Sequence, residues 1–502
     1  MSDVAPAAVF GTLLPGFVGT TLPSWLETRL REGLAGVCLF GENIVDPEQT
    51  RALTDAIRAA NPRAIIAIDE EGGDVTRLHA ATGSPFPGNA VLGRLDDVAL
   101  TGAVGAAVAG ELAAAGVNLN FAPDVDVNSN PDNPVIGVRS FGADARLVAR
   151  HSAAWIAAHE AAGVAVSAKH FPGHGDTAQD SHLALPVVDA SREELDEREL
   201  PPFAASIAAG ARTIMSSHIV VPALDGPKTP ATFSRAVLDD LLRSSLGFAG
   251  VVVSDALDMA GASGEVGIPR AAALALEAGC DLLCIGTRNT DEQLALIEAA
   301  VRAAVARDEL PASRIEDAAA RVAALGEQLA ATVPGGAELP VSSESDRDAD
   351  AVDGDGWSAG PPPVPAERIR TAFEVKPGAA PAAGATLVTI ETTANIAVGH
   401  SPWGVAAAGA EVVEVREADA AAVLAALPAT ADGALAPLVL IGKDNHRHAW
   451  VRELIDEARA IRPGTIAIDM GWPAPDRAYA DVATFGASRI VGAALVDWLE
   501  RP

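Results

Sequence analysis

The stretch Gly250-Val-Val-Val-Ser-Asp255 decides the fold class, because it is apolar along nearly its whole length and then ends on a carboxylate. An apolar run without alternation is typical of a parallel strand that is buried on both faces. Similar runs recur through the first part of the chain, with alanine-rich helical stretches between them. The predicted strands are Val9–Leu14, Gly36–Phe40, Ile65–Ile68, Val117–Phe121, Val164–Ala168, Thr213–Ser216, Gly250–Ser254 and Asp281–Ile285.

Eight strand–helix repeats predict an α/β fold whose N-terminal part is a (β/α)8 TIM-like barrel. A doubly wound open sheet is the alternative, because periodicity does not show whether the sheet closes. Two capping-box patterns indicate helix starts, one at Ser191 with Glu194 and one at Ser313 with Glu316.

The composition changes sharply after residue 330. The range 338–355 holds seven acidic residues and one basic residue, and Pro361-Pro-Pro-Val-Pro365 follows it. Such a stretch predicts an exposed linker over 331–365, between a catalytic domain at 1–330 and a smaller domain at 366–502. The second domain is predicted to be an αβα sandwich. Its predicted strands are Thr386–Ile390, Glu411–Val415, Leu438–Ile441 and Thr465–Asp469, and its main helices are Trp450–Ile461 and Ile490–Leu499.

The chain is strongly acidic, with 36 Lys and Arg against 67 Asp and Glu and a net charge of −31. This charge repels phosphate backbones and anionic lipids, so nucleic-acid and membrane partners are not expected. The N-terminus lacks the basic start of a signal peptide, which predicts a cytoplasmic protein. The cysteines Cys38, Cys280 and Cys284 lie in apolar runs and are predicted to be buried core thiols.

Polar residues follow five successive predicted strands. They are Asp69 after the third strand, Asp124, Asp126, Asn128 and Arg139 after the fourth, Lys169 and His170 after the fifth, His218 after the sixth and Asp255 after the seventh. Catalytic groups of barrel enzymes lie on these loops, at one face of the barrel. A single polar residue at a strand end is often only a helix cap, but polar residues at five successive strand ends favour an active-site rim.

The segment Lys169-His-Phe-Pro-Gly-His-Gly-Asp-Thr-Ala-Gln-Asp-Ser-His182 is the most informative part of this rim. Asp180 and His182 are two residues apart, so an extended chain places both side chains on one side. A carboxylate that supports an imidazole gives a general acid/base near neutral pH. The alternative is a surface loop whose polar groups face water.

A metal site is the competing interpretation of this segment. Its potential ligands are His170, His174, Asp176, Asp180 and His182. The Pro-Gly pair between the first two histidines prevents the i, i+4 spacing of a helical ligand pair, and the sequence contains no HExxH motif. We therefore predict that this segment does not hold a catalytic metal.

Asp255 follows an apolar strand and could act as a nucleophile in the barrel mouth, or it could cap the next helix. Asp258, three residues later, is the more natural cap or surface residue. Asp69, Arg77, Arg139 and Lys169 could supply hydrogen bonds to a polyhydroxylated ligand, although each could equally form a salt bridge at the rim.

At these residues the chain resembles the β-N-acetylglucosaminidases of glycoside hydrolase family 3, the NagZ-type enzymes. The resemblance is carried by the loop that starts at Lys169 and ends at Asp180-Ser-His182, by Arg139-Ser-Phe-Gly142 and by Ser254-Asp-Ala-Leu-Asp-Met259. Asp69-Glu-Glu-Gly-Gly differs from the family pattern in having Glu70 in place of Gln. Leu39-Phe-Gly-Glu-Asn43 lacks a basic residue that is common in relatives. Both departures are expected to affect only the edge of the pocket.

The resemblance covers about residues 5–330 and implies a role for each matched residue. Asp255 would form a covalent glycosyl–enzyme intermediate, and His182 would be the acid/base, paired with Asp180. Asp69, Arg77, Arg139, Lys169 and His170 would bind the sugar. The resemblance implies neither a metal nor an organic cofactor. The implied activity is retaining hydrolysis of terminal β-linked N-acetylglucosamine from peptidoglycan-derived fragments, with a small-molecule carbohydrate as substrate. The C-terminal domain resembles the αβα sandwich of two-domain members only loosely.

Two alternatives stay open at this stage. A neutral histidine base does not repel phosphate as a second carboxylate would, so the protein could be a phosphorylase, with Lys169 adding attraction for phosphate. It could also be an inert sugar-binding protein, although a binder has no need for both Asp255 and the Asp180–His182 pair.

Overall fold

A computed structural model describes residues 4–177, 185–332, 356–357, 364–393, 397–426 and 437–501. The first part of the chain forms one sheet of eight parallel strands. Their bounds are β1 Leu13–Pro15, β2 Gly36–Leu39, β3 Ile65–Ile68, β4 Leu119–Asn120, β5 Ala165–Phe171, β6 Thr213–Ser216, β7 Val251–Ser254 and β8 Leu282–Gly286.

The sheet curls into a nearly closed barrel. The strand order is β1-β8-β7-β6-β5-β4-β3-β2, and every pair is parallel. The two end strands approach each other near their starts, where the Ala35 N–H donates to the Phe10 carbonyl at 3.0 Å. The predicted barrel is therefore confirmed, and the open sheet is not found.

Alternate side chains of each strand face inward and outward, which explains why the strands are apolar throughout. In β7, Val251 and Val253 belong to the cluster inside the barrel, whereas Val252 belongs to the outer cluster between strands and helices. Helix Ala312–Thr332 contributes Val322, Leu325 and Leu329 to the inner cluster. This helix therefore packs against the interior of the barrel as well as following its last strand.

Helices surround the barrel in alternation with the strands. The longer ones are Ser24–Arg31, Pro47–Ala60, Val98–Ala115, Ala145–Ala161, Leu200–Ala208, Ile268–Ala278, Asp291–Ala306 and Ala312–Thr332, and Ala236–Ser245 forms a wider π-helical segment. Among the described residues, Val98–Ala115 is the one helix long and apolar enough to cross a membrane. It packs against Ala145–Ala161 in the outer layer, as a core helix does.

The C-terminal part is an αβα sandwich. Its strands are β9 Glu374–Val375, β10 Thr386–Ile390, β11 Val413–Val415, β12 Leu438–Gly442, β13 Ile466–Asp469 and β14 Val482–Ala483, in the order β11-β10-β12-β13-β14-β9. All pairs are parallel except β14 with β9. Helix Ala449–Ile461 packs in one apolar cluster with the sheet, and helix Arg489–Glu500 packs in the other.

Three sequence-based expectations need correction. Val9 and Phe10 end a short helix, Pro6–Phe10, so the first strand begins only at Leu13. Ser313 lies inside helix Ala312–Thr332 rather than capping it, whereas the capping box at Ser191 is confirmed. The two-residue strands β9 and β14 were not predicted, because so short a run carries no periodicity.

The domain bounds stay a prediction, since most of the range 331–365 lies outside the described residues. The barrel's last helix ends at Thr332, and the first helix of the sandwich is Ala366–Arg370. Trp357 departs from the expected exposure of the linker, because it is only 7 % exposed and its ring lies 6.5 Å from that of His79.

Candidate active site

A cavity of about 530 Å³ opens at the C-terminal ends of the barrel strands. Every described residue that the sequence singled out for catalysis or sugar binding lines this cavity: Asp69, Arg77, Arg139, Lys169, His170 and Asp255. The loops after β3, β4 and β7 and the C-terminal end of β5 supply these side chains, as the barrel fold requires. His218 is different, because it is fully buried behind the wall.

Buried charges of opposite sign form an ionic network on one side of the cavity. The Lys169 ammonium lies 2.6 Å from Asp69 Oδ1 and 2.8 Å from Glu71 Oε1. Arg139 donates two hydrogen bonds to Glu71, from Nη2 to Oε1 at 2.7 Å and from Nε to Oε2 at 3.0 Å. Glu71 therefore joins the two cations, and we call Asp69, Glu71, Arg139 and Lys169 the ionic network.

The pKa values in the ionic network follow from this pairing. Burial opposes the ionisation of Glu71, but the Arg139 and Lys169 cations outweigh it and hold the Glu71 pKa below its ordinary value. Burial likewise opposes the charge on Lys169, yet Asp69 and Glu71 raise the Lys169 pKa. Glu71, Arg139 and Lys169 are thus charged at neutral pH, and they present fixed donors and acceptors to a ligand.

Two aspartates after β4 support the histidines after β5. Asp126 Oδ2 lies 2.7 Å from His170 Nδ1, and Asp126 Oδ1 accepts the backbone N–H of His174 at 2.7 Å. Burial disfavours the charge on Asp126, but His170 lowers its pKa. Burial also lowers the pKa of His174 to about 4, so this imidazole is neutral at pH 7.

The ligand atoms of Asp124, Asp126 and His170 lie within 4.8 Å of one another, which is close enough to hold a metal ion. The Arg139 guanidinium already supplies positive charge to this cluster, because its Nη2 lies 3.5 Å from Asp124 Oδ2 and 3.5 Å from His170 Nε2. Burial and the Asp126 charge raise the Asp124 pKa well above its usual value, which further lowers its fitness as a ligand. Of the metal ligands that the sequence suggested, this cluster includes only His170.

Asp255 lies on the opposite side of the cavity, directly after β7. Its Oδ1 accepts the backbone N–H of Ala256 at 2.8 Å. It does not cap a helix, since the next one, Ala260–Ser263, follows Met259. His218 fixes this turn from behind: Nε2 lies 3.0 Å from the Ala256 carbonyl and Nδ1 lies 2.9 Å from Thr232 Oγ1. His218 is thus a support for the turn at Asp255 rather than a wall of the cavity.

Asp258 also reaches the cavity, but it is committed to the loop after β8. Its Oδ2 accepts the Thr287 N–H at 2.8 Å. Gly286 makes this contact feasible, because its φ is +97° and an added Cβ would lie 2.0 Å from the Asp258 carboxyl carbon. Asp258 is therefore held away from a nucleophilic role.

The predicted acid/base pair, Asp180 and His182, lies outside the described residues, which stop at Thr177 and resume at Leu185. The roles of these two residues stay predictions. The part of the loop before them is described, and it borders the cavity through His174.

The C-terminal domain contributes to the cavity wall, which the sequence did not predict. Ala397, Val398, Gly399, His400 and Ser401 line the cavity opposite the barrel loops. Arg77 joins the two domains here, because its Nη2 donates to the Ala397 carbonyl at 2.8 Å and its Nη1 to the Val398 carbonyl at 3.4 Å. Arg77 therefore holds the domain contact in addition to bordering the sugar pocket.

The expected effect of Glu70 on the pocket edge is not found. Glu70 is fully buried, and its Oε2 accepts the backbone N–H groups of Arg77 at 2.8 Å and Leu78 at 3.0 Å. Burial raises its pKa. The other departure does lie near the edge: Phe40 and Gly41 line the cavity, and Glu42 pairs with Arg288 at 2.9 Å.

The model of the Glycosyl hydrolase family 3 N terminal domain matches residues 24–325. "Beta-hexosaminidase A" of Pseudoalteromonas piscicida is 42 % identical over 294 residues, 54 % of this chain and 49 % of that protein, so the match spans about half of the relative's length. "Beta-hexosaminidase" of Alkalilimnicola ehrlichii is 40 % identical over 286 residues, covering 55 % of this chain and 81 % of that protein.

Among solved structures, a glycoside hydrolase family 3 β-N-acetylglucosaminidase from Paenibacillus sp. str. FPU-7 aligns with a TM-score of 0.84 and 29 % identity, over 99 % of this chain and 97 % of that one. NagZ from Neisseria gonorrhoeae, in complex with N-trifluoroacetyl-D-glucosamine, aligns with a TM-score of 0.52 and 30 % identity, over 64 % of this chain and 98 % of that one. The first of these similarities spans both domains, and the second covers less of this chain.

Proposed function

Because this chain belongs to glycosyl hydrolase family 3 and is a glycoside hydrolase of the β-N-acetylhexosaminidase type, we propose that it removes terminal β-linked N-acetylglucosamine with retention of configuration. The observation that carries this proposal is the single cavity that brings Asp255 to face the ionic network. One side of the cavity offers a carboxylate nucleophile, and the other offers fixed hydrogen-bond partners for sugar hydroxyls.

The reaction has two steps. The Asp255 carboxylate attacks the anomeric carbon while the leaving oxygen takes a proton from His182, which gives a covalent glycosyl–enzyme and a free alcohol. Water then attacks the same carbon and gives its proton to His182, and Asp255 is released. The backbone N–H of Ala256 donates to Asp255 Oδ1, so this hydrogen bond favours the free carboxylate and orients it for attack.

The ionic network suits the recognition of a neutral polyol. Its charges are paired with one another at 2.6–3.0 Å, so little uncompensated charge remains to attract an ionic ligand. Hydroxyl groups can bridge such pairs, since they donate to a carboxylate and accept from a cation. Asp69 is the most exposed member of the network and is the natural acceptor for a hydroxyl of the terminal sugar.

Water is the better acceptor for the second step. The sequence suggested that Lys169 would attract phosphate, but its ammonium lies between two carboxylates and is almost fully buried. A phosphate dianion that entered the cavity would meet the Asp255 and Asp69 carboxylates, and the Arg77 guanidinium, which also lines the cavity, already donates to the carbonyls of Ala397 and Val398. We therefore favour hydrolysis over phosphorolysis.

We propose peptidoglycan-derived fragments as the substrate and the cytoplasm as the location. The substrate proposal rests on the resemblance of the catalytic loops, and the location carries over the expectation from the sequence. A cavity lined by barrel loops and by the segment 397–401 supports a pocket for a terminal sugar.

The test uses aryl and natural substrates with and without phosphate. We expect p-nitrophenyl β-N-acetylglucosaminide and a peptidoglycan-derived disaccharide to be hydrolysed, with NMR showing the β-anomer of free N-acetylglucosamine first. Addition of 10–20 mM phosphate, a concentration on the order of a millimolar KM, should neither change the rate nor yield a sugar phosphate. Formation of the α-anomer first would contradict the retaining mechanism, and a 1-phosphate product would establish the phosphorylase alternative.

A further inference from the structure

We propose that Arg198 and Glu199 are positioning residues that hold the base of the catalytic loop, residues 172–177, and that general acid catalysis by His182 depends on this base. This inference rests on the proposed function, because it takes His182 as the acid/base. It concerns two residues that neither line the cavity nor belong to a matched catalytic motif, so their contribution would be indirect.

Arg198 ties the loop to the helical segment that follows it. Its Nη2 lies 2.8 Å from Asp176 Oδ2, and its Nε donates to Glu199 Oε1 at 2.6 Å. Arg198 is thus shared between a carboxylate of the loop and a buried carboxylate of its own segment. Because the guanidinium is planar with fixed donor directions, this arrangement fixes Asp176 in direction as well as in distance.

Glu199 forms the surface on which the loop rests. It is 1 % exposed, and Gly173 packs so closely on it that an added Cβ would lie 2.6 Å from Glu199 Oε2. Gly173 also has a φ of +128°, which side chains rarely adopt. The loop can therefore occupy this position only with glycine above Glu199.

The opposite side of the loop base is held by residues that follow β4. Asn133 Nδ2 donates to the carbonyls of His174 at 2.8 Å and Gly175 at 3.0 Å. Asp126 accepts the His174 N–H at 2.7 Å. The loop base is thus clamped between the β4 loop and the Arg198–Glu199 pair, so its direction depends on both.

The direction of the loop base matters because His182 follows Thr177 by five residues. Five residues reach at most about 17 Å. The position of the loop base therefore limits where the imidazole can lie, and proton transfer needs the imidazole within hydrogen-bond reach of the leaving oxygen.

The charge state of Glu199 fits a role in which the loop presses against it. Its Oε2 has no hydrogen-bond partner among the described residues, and burial raises the Glu199 pKa to about 7. The charged groups that face it are Arg198, which opposes this rise, and Asp126 and Asp176, which add to it. Both protonation states are therefore populated at neutral pH.

The geometry of the helical segment explains how the pair reaches the loop. Leu195–Glu199 is a π-helical turn in which the Leu200 N–H donates to the Leu195 carbonyl. Pro201 and Pro202 follow and have no N–H to continue regular α-helical bonding at that point. Such widened turns are frequent at functional sites.

The experiment compares two leaving groups in Arg198→Ala, Glu199→Gln and the control Glu197→Gln, which changes an exposed carboxylate in the same turn. Methyl β-N-acetylglucosaminide needs protonation of its leaving oxygen, whereas the 2,4-dinitrophenyl glycoside does not. For Arg198→Ala we expect kcat/KM to fall by about 10–100-fold on the methyl glycoside, part of the 10²–10⁴-fold that general acid catalysis supplies. On the dinitrophenyl glycoside, kcat/KM should change by less than about threefold, because this leaving group needs no protonation.

Further variants keep the test decisive. Glu199→Gln should show the same selective loss in milder form, Arg198→Lys should restore part of it, and Glu197→Gln should behave as wild type. Asp176→Asn breaks the same ion pair from the loop side, should Arg198→Ala not fold. Equal losses on both glycosides, or no loss on either, would overturn the proposal. If His182→Ala itself shows no dependence on the leaving group, the acid/base assignment fails, and the anchoring proposal fails with it.

Discussion

The two sides of the cavity are built by different means. On the side of β3 to β5, Glu71, Arg139 and Lys169 are nearly fully buried and hold one another by ion pairs of 2.7–3.0 Å. On the side of β7, Asp255 is half-buried, and the turn that carries it is supported through backbone groups and the neutral contacts of His218. The first side depends on its charges for its shape, whereas the second depends on the backbone.

This difference separates stability from catalysis. A charge removed from the first side leaves its buried partners uncompensated, so folding and binding suffer together. A carboxylate removed from the second side leaves the backbone in place, so chemistry is lost while the fold remains. The predictions below test that separation.

The largest effect is expected for Asp255→Ala. The variant should lose turnover by on the order of 10⁵-fold, as enzymes do when the nucleophile is removed, and its unfolding midpoint in urea should stay close to that of the wild type. The matched control is Asp258→Ala, which removes a carboxylate held by Thr287 and should keep most of the activity. Near-wild-type turnover in Asp255→Ala would contradict the assignment of the nucleophile.

Glu71→Gln tests the other side of the cavity. Replacing the carboxylate that joins Arg139 and Lys169 should cost about 3–5 kcal/mol in the free energy of unfolding, because two buried cations lose their shared partner. Asp69→Asn is the control, since Asp69 is more exposed and should cost less than about 1 kcal/mol. Urea unfolding of both variants gives the comparison, and equal losses would show that the ionic network is not held through Glu71.

The loop anchor adds a pH dependence of its own. Burial raises the Glu199 pKa to about 7, so the folded state binds its proton more tightly than the unfolded chain does. Stability from this group is complete below about pH 4.3 and falls as pH rises to 7, by about 3 kcal/mol in total. In Glu199→Gln this decline should be absent, which urea unfolding between pH 4.5 and 8 measures. Parallel curves for variant and wild type would contradict the assignment.

The smallest effect is expected for metal removal. Arg139 lies 3.5 Å from both Asp124 Oδ2 and His170 Nε2, so the charge of the acidic cluster is already balanced. Dialysis against EDTA should therefore leave kcat/KM unchanged on the aryl glycoside. Loss of activity with recovery on adding zinc would mean that the cluster of Asp124, Asp126 and His170 binds an ion after all.

The sequence predicted the parts of this molecule that follow from local pattern. Seven barrel strands lie where apolar runs predicted them, and the residues at their ends converge because parallel strands finish at one face. The sequence predicted that Asp69, Arg139, Lys169 and Asp255 lie together at strand ends, and all four line the cavity. That prediction needed no knowledge of distant contacts.

Roles that depend on contacts across the chain were not predictable. Glu71 looked no different from its neighbour Glu70, yet one joins two cations and the other is buried against the backbone of Leu78. The participation of the segment 397–401 has no signal in local sequence, because it follows from the packing of a second domain. What distinguishes Glu71 from Glu70 is that its carboxylate contacts two cations, Arg139 and Lys169. This contact is visible only in the three-dimensional structure.

The Arg77 contact with Ala397 and Val398 has a consequence for the order in which the site is assembled during translation. The barrel sequence is finished near residue 330, but the segment that completes the pocket wall is translated several seconds later at the usual 5–20 residues per second. A nascent chain therefore has a barrel before it has a complete pocket. The complete cavity wall is assembled late in synthesis, when the carbonyls of Ala397 and Val398 reach the Arg77 guanidinium.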